Sequence, residues 1–137
     1  MWWIYALLSA FFAAITAIFV KLGVKNINSD LATAIRTVVV LVVTWAIFFM
    51  RSNPGDFSKL TKSTIIFLVL SGIATGLSWI FYFKAMQLGK VAQVAAIDKL
   101  SVAFVVILSF FILNETYTLK TAIGVAMIIG GAVVMIF

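Results

Sequence analysis

The chain has 137 residues, of which 65% are hydrophobic and only 10% charged, with a formal net charge of +6. A water-soluble domain of this size needs far more polar residue to cover its exterior, so that class is excluded. Cysteine and histidine are both absent, which removes disulfides, thiolate chemistry and the commonest zinc ligands.

The first element is "WWIYALLSAFFAAITAIFV", an uncharged run from Trp2 to Val20. It lacks the charged start and the cleavage site of a secretory signal. Trp2 and Trp3 suit the headgroup layer as interfacial anchors. After "KLGVKNINSD", where Asn28, Ser29 and Asp30 offer N-caps, a second helix is expected from about Leu31 to Met50. The loop "RSNPGDFSKLTKS" follows, with a Pro54-Gly55 turn signal. The third helix spans about 63–85, the fourth about 91–113 and the fifth about 119–137, the last capped by Thr118. A bilayer core of about 30 Å takes roughly 20 apolar residues as a helix. The expected fold is therefore all-α and integral to a membrane, with five transmembrane helices in a single domain, 1–137. The net charge is scattered through short loops and reads as membrane-surface charge, not as a nucleic-acid patch.

Five spans place the termini on opposite sides. On the N-terminal side the flanking cations are Arg51, Lys59, Lys62 and Lys120; on the other they are Lys21, Lys25, Lys84 and Lys90. Orientation is normally set by an excess of Lys and Arg on one side, and this chain has none. One reading is a single orientation fixed by other features. The other is dual topology, in which the chain inserts both ways and pairs with itself antiparallel.

Polar residues recur at helical spacing. Tyr5, Ser9 and Thr16 share a face of the first helix, and Thr33, Thr37 and Thr44 one of the second. Ser71, Thr75, Ser78 and Tyr82 follow in the third, and Asp98, Ser101 and Ser109 in the fourth. Such stripes line a polar cavity, or they bond the backbone and neighbouring helices. Gly72 and Gly76 form a GxxxG suited to close packing. Gly124, Gly130 and Gly131 make the fifth helix a packing or dimerisation helix.

Arg36 and Asp98 lie six residues after Asp30 and seven after Val91, so both sit roughly 10 Å deep from the same side. An Arg36–Asp98 ion pair is geometrically available. Asp98 and Lys99 point about 100° apart on a helix, which disfavours their pairing with each other. A charge facing lipid costs roughly 2.5–3.5 kcal/mol, so these groups are expected to face protein or water. They form either a packing clasp, with Lys99 snorkelling outward, or part of a substrate or ion pathway. Asp98 is the candidate proton carrier. Lys84 can reach the same vestibule, and Glu115 at the opposite end reads as a structural cap.

The stretch "AMQLGKVAQVAAIDKLSVAFVVILSFFILNETYTLKTAIGVAMIIGGAVVMI" resembles the closing half of an EamA domain of the drug/metabolite transporter superfamily. Arg36 matches an arginine common near the start of the second helix there, and Glu115 the glutamate ending the penultimate one. Larger relatives carry two such domains as inverted repeats. The resemblance therefore implies that this five-helix chain is a half-transporter working as an antiparallel homodimer. Many relatives have a proline partway into the fourth helix and a glycine before the glutamate. Here "AAID" lacks the proline and Asn114 precedes Glu115, so a continuous fourth helix is expected.

The function expected is a small secondary transporter in a prokaryotic inner membrane, moving metabolites or amphipathic small molecules. No cofactor or metal is expected, and the partners are the bilayer, a small-molecule substrate and a second copy. No Walker motif is present, so a gradient would supply the energy. Arg36 and Lys99 hint at an anionic group, and Tyr82 or Trp79 at an aromatic wall. The alternative is a non-transporting subunit that assembles with a larger partner. An enzyme is disfavoured, because no nucleophile–base or metal constellation is visible.

Overall fold

A computed structural model describes residues 1–51 and 54–137. Ser52 and Asn53, in the longest loop, lie outside the described residues. The elements are α1 (Trp2–Gly23), α2 (Ser29–Arg51), a 3-10 turn (Pro54–Lys59), α3 (Lys62–Leu88), α4 (Val91–Asp98), α5 (Ser101–Ile112) and α6 (Leu119–Ile136). No strand occurs among the described residues. Five segments are long and apolar enough to cross a membrane, with α4 and α5 together forming the fourth. At 27 residues α3 extends roughly 40 Å, enough for the hydrocarbon core and part of each headgroup layer.

Local chemistry explains where the helices begin. The Asn28 side-chain oxygen accepts the backbone N–H groups of Asp30 (2.8 Å) and Leu31 (3.3 Å), starting α2 at Ser29. Asp30 in the first turn and Arg51 in the last complement the helix dipole. The Thr61 hydroxyl accepts from Thr64 N–H at 3.2 Å, and the Thr118 hydroxyl from Thr121 N–H at 3.4 Å. After Arg51 the chain turns back, and Phe57 of the 3-10 turn stacks on Trp45 (6.3 Å) and meets Phe48 edge-on (5.3 Å).

The fourth span corrects the expectation of a continuous helix. Around Lys99 and Leu100 the bonding tightens from four residues to three, with Lys99 N–H on Ala96 O (3.2 Å) and Leu100 N–H on Ile97 O (2.9 Å). Both residues keep right-handed helical angles, so the chain is overwound and not reversed. Proline is not needed for this break. The span ends at Asn114, whose φ of 53° makes it the one described non-glycine residue in the left-handed region. Asn is the side chain that best tolerates that conformation after Gly.

The chain divides into two compact units, Met1–Lys21 with Leu88–Phe137, and Leu22–Gln87. In the first, α4 packs on α6, with Val94 and Ala132 buried. Gln93 of α4 also donates to the Ile136 carbonyl at the end of α6 (3.4 Å). In the second, Gln87 at the end of α3 donates to the carbonyls of Val24 (3.0 Å) and Ile27 (2.7 Å), tying down the approach to α2. Val24, Phe83 and Met86 are buried in this unit. Most other large apolar side chains are exposed, as lipid-facing residues must be.

The glycines expected to pack are open within their own units. A Cβ added at Gly72, Gly76, Gly124, Gly130 or Gly131 would meet nothing there within 4 Å.

Candidate functional site

The α2–α3 pair carries the clearest constellation. Arg36 lies seven residues into α2, roughly 10 Å from its start. Its guanidinium sits over the Trp79 ring at 4.4 Å and near the Phe83 ring at 5.6 Å. Trp79 and Phe83 are four residues apart on α3, so one face of that helix presents both rings. Tyr82 is close enough to interact electrostatically with the same cation. Cation–π contact contributes roughly 0.5–2 kcal/mol, less than the roughly 2.5–3.5 kcal/mol cost of an arginine deep in a bilayer. The rings therefore offset part of the cost only. They occupy the guanidinium's face and leave its in-plane N–H groups, for which no described residue supplies an acceptor. Those donors match a carboxylate or phosphate in bidentate geometry.

The same unit holds a cavity of about 280 Å³ at the Gln87 end of α3, lined by Asn28, Ser29, Asp30, Ile80, Phe81, Lys84 and Gln87. The sequence places Lys84 within reach of a vestibule, and the structure puts it in the lining of this cavity. The sequence does not place the other polar lining residues there, because Asn28, Ser29 and Asp30 read only as caps. The antiparallel register of α2 and α3 that brings them to Gln87 is a tertiary fact.

The remaining candidates belong to the other unit. Asp98 and Lys99 stand at the break in the fourth span, and their charges lie 3.5 Å apart with side chains 43% and 62% exposed. The adjacent pair thus forms, against the expectation from the 100° offset, because the four-carbon lysine stem reaches back past the turn. Ser101 opens α5 and is exposed, as are Tyr5 and Ser9 on α1. Arg36 contacts the α3 aromatics within its unit, and Asp98 pairs within its own.

Several striped hydroxyls serve their own helices. Thr33, Thr37 and Thr44 donate to Ser29, Thr33 and Val40 carbonyls, and Thr75 to that of Ser71, all within 2.9 Å. This is the backbone-bonding role, so those residues are poor evidence of a polar lumen. Ser78 is exposed one residue before Trp79.

At the far end of the fourth span, the Glu115 N–H donates to Ser109 O (3.3 Å), and its carboxylate accepts the Tyr117 hydroxyl (2.6 Å). Tyr117 also meets the Ser109 hydroxyl. The bond to Glu115 raises the Tyr117 pKa above its ordinary value. Tyr117 carried no sequence signal, since its partner lies eight residues upstream around a left-handed turn.

Comparison with known proteins agrees with this architecture. No solved structure matches the chain. A curated relative from Sinorhizobium sp., named "Uncharacterized transporter in cobO 3'region", is 48% identical over 134 residues, covering 98% of this chain and 95% of its own length. A family model, the EamA-like transporter family, matches residues 1–137. With five membrane-crossing segments and a whole-length match, the chain is a multi-pass integral membrane protein that belongs to the EamA-like transporter family.

Proposed function

We propose that the protein is a small secondary transporter of metabolites or amphipathic molecules bearing an anionic group. Arg36 carries this reading: an arginine held in a membrane span by two aromatic rings, with its in-plane donors unclaimed among the described residues. An anion that docks there supplies the acceptors that the rings cannot, while Trp79 offers an apolar wall. Asp98, beside the break, is the proposed proton carrier. The relative's name as a transporter supports the general role.

We further propose an antiparallel homodimer in a prokaryotic inner membrane, working by alternating access. The even split of flanking cations and the open glycines of α3 and α6 support a second copy. Two inverted copies supply the two equivalent halves that alternating access requires.

The test is flux by the purified protein alone in liposomes, across a panel of anionic and neutral metabolites under imposed gradients. Gradient-driven accumulation of an anionic solute, lost in Arg36→Ala, is the expected outcome. Silence with every solute until a second protein is added would instead favour an accessory subunit. Topology is read separately, from single cysteines placed at Asn26 and at Ser58 in this cysteine-free chain. Partial labelling of each from outside intact cells is expected; labelling of one site alone would refute the antiparallel pair.

A further inference from the structure

The cavity at the Gln87 end of α3 has a charge pattern different from that of the Arg36 site. Asp30 lies in the first turn of α2, and Lys84 lies four residues before the end of α3, roughly 6 Å along the helix. The polar layer on each side of a bilayer core is of about that thickness, so both charges sit at headgroup depth. Neither is in an ion pair among the described residues. The cavity is therefore walled by one free carboxylate and one free ammonium.

Its other walls are built and polarised. Ser29 is only 4% exposed and lines the cavity. The Asn28 and Gln87 amides are already anchored, one to the start of α2 and the other to the Val24 and Ile27 carbonyls, so the rim is preorganised. The α2 N-terminus adds positive potential on the Lys84 side of the balance. On the lipid side the lining is Ile80 and Phe81, exposed by 39% and 72%. The volume of about 280 Å³ is below the range of roughly 300–1,000 Å³ typical of drug-sized ligands. It suits a headgroup.

We infer that this cavity binds a group carrying both an ammonium and an oxyanion, the ammonium at Asp30 and the oxyanion at Lys84 and Ser29. The chemistry is that of a phosphoethanolamine moiety, free or as the headgroup of a phospholipid whose chains run along Ile80 and Phe81. The inference requires only that the chain is embedded in a bilayer, so it stands or falls independently of transport.

The experiment is native mass spectrometry of the detergent-purified protein with equal amounts of phosphatidylethanolamine and phosphatidylglycerol. Preferential retention of phosphatidylethanolamine is expected, and Lys84→Gln and Asp30→Asn should each reduce it about fivefold, the size of one charge contact at a headgroup surface. Lys84→Gln lies outside the capped first turn of α2 and carries the test if Asp30→Asn weakens the helix start. Adding soluble phosphoethanolamine assigns the source: displacement identifies a free solute as sufficient, and no displacement identifies the lipid. Equal retention of phosphatidylglycerol, or retention unchanged in both variants, overturns the site.

Discussion

In α3 the backbone runs unbroken for 27 residues and presents Trp79 and Phe83 to the Arg36 cation of α2. In the fourth span the helix is interrupted, and Asp98 and Lys99 hold one another while largely exposed. Both regions carry charge where a bilayer penalises it. The first covers a single charge with fixed aromatic faces, so its geometry exists before any ligand arrives. The second places two opposite charges beside each other at the tightened turn, so that each offsets part of the other's cost. A covered charge is suited to recognition, and an uncovered pair at a break is suited to rearrangement. Under the proposed function, the two units would carry different tasks.

The largest test of that contrast is at Arg36. Arg36→Ala should lower solute flux at least about tenfold, the loss of a charge-assisted bidentate contact. Arg36→Lys should recover only part of it, because an ammonium lacks the planar donors that remain when the ring faces are occupied. Full flux in Arg36→Lys would break the comparison by reducing Arg36 to a point charge. Asn114→Ala addresses the end of the broken span. A left-handed alanine costs about 1–2 kcal/mol, visible as earlier thermal unfolding in detergent, whereas Asn114→Gly should be at least as stable as the parent. The Asp98–Lys99 pair comes next. A double-mutant cycle with Asp98→Asn and Lys99→Gln should give a coupling under about 1 kcal/mol where water reaches the break, as it does for solvent-exposed pairs. A larger value would show that this pair is covered after all. The smallest effect is at Tyr117, whose raised pKa means that the neutral phenol is the bonded form. Its stabilisation is present below the ordinary tyrosine pKa of about 10 and lost as pH rises past the raised value. The stability advantage over Tyr117→Phe should therefore fade only in strongly alkaline solution.

The spans themselves were legible because uncharged runs near 20 residues leave the backbone no alternative to a helix in lipid. The positions of Arg36, Asp98 and Lys84 along their helices were legible for the same reason. What each charge touches was not. Arg36 meets Trp79 and Phe83 through the register of α2 against α3, which no local pattern encodes. The break at Lys99 carries neither proline nor glycine and so leaves no mark in the sequence; it is a shift in hydrogen-bond spacing with ordinary dihedral angles. The cavity leaves no mark in the sequence either, because Asn28, Ser29 and Asp30 are also good capping residues and nothing local encodes what lies opposite them.

The tie made by Gln87 has a consequence for biosynthesis. Its side chain reaches carbonyls 63 and 60 residues earlier in the chain. As the ribosome delivers the protein, the Val24 and Ile27 carbonyls wait without this donor until α3 has been made. The unit from Leu22 to Gln87 is contiguous, so it can close once all of α3 has left the ribosome and entered the membrane, without waiting for the last helix. The other unit is split around it, and Met1–Lys21 must remain in the membrane without its remaining helices until the last of the chain emerges. Newly made protein therefore passes through a stage in which the arginine-bearing half is complete and the first helix awaits its unit, a stage at which insertion machinery or a chaperone has the most to hold.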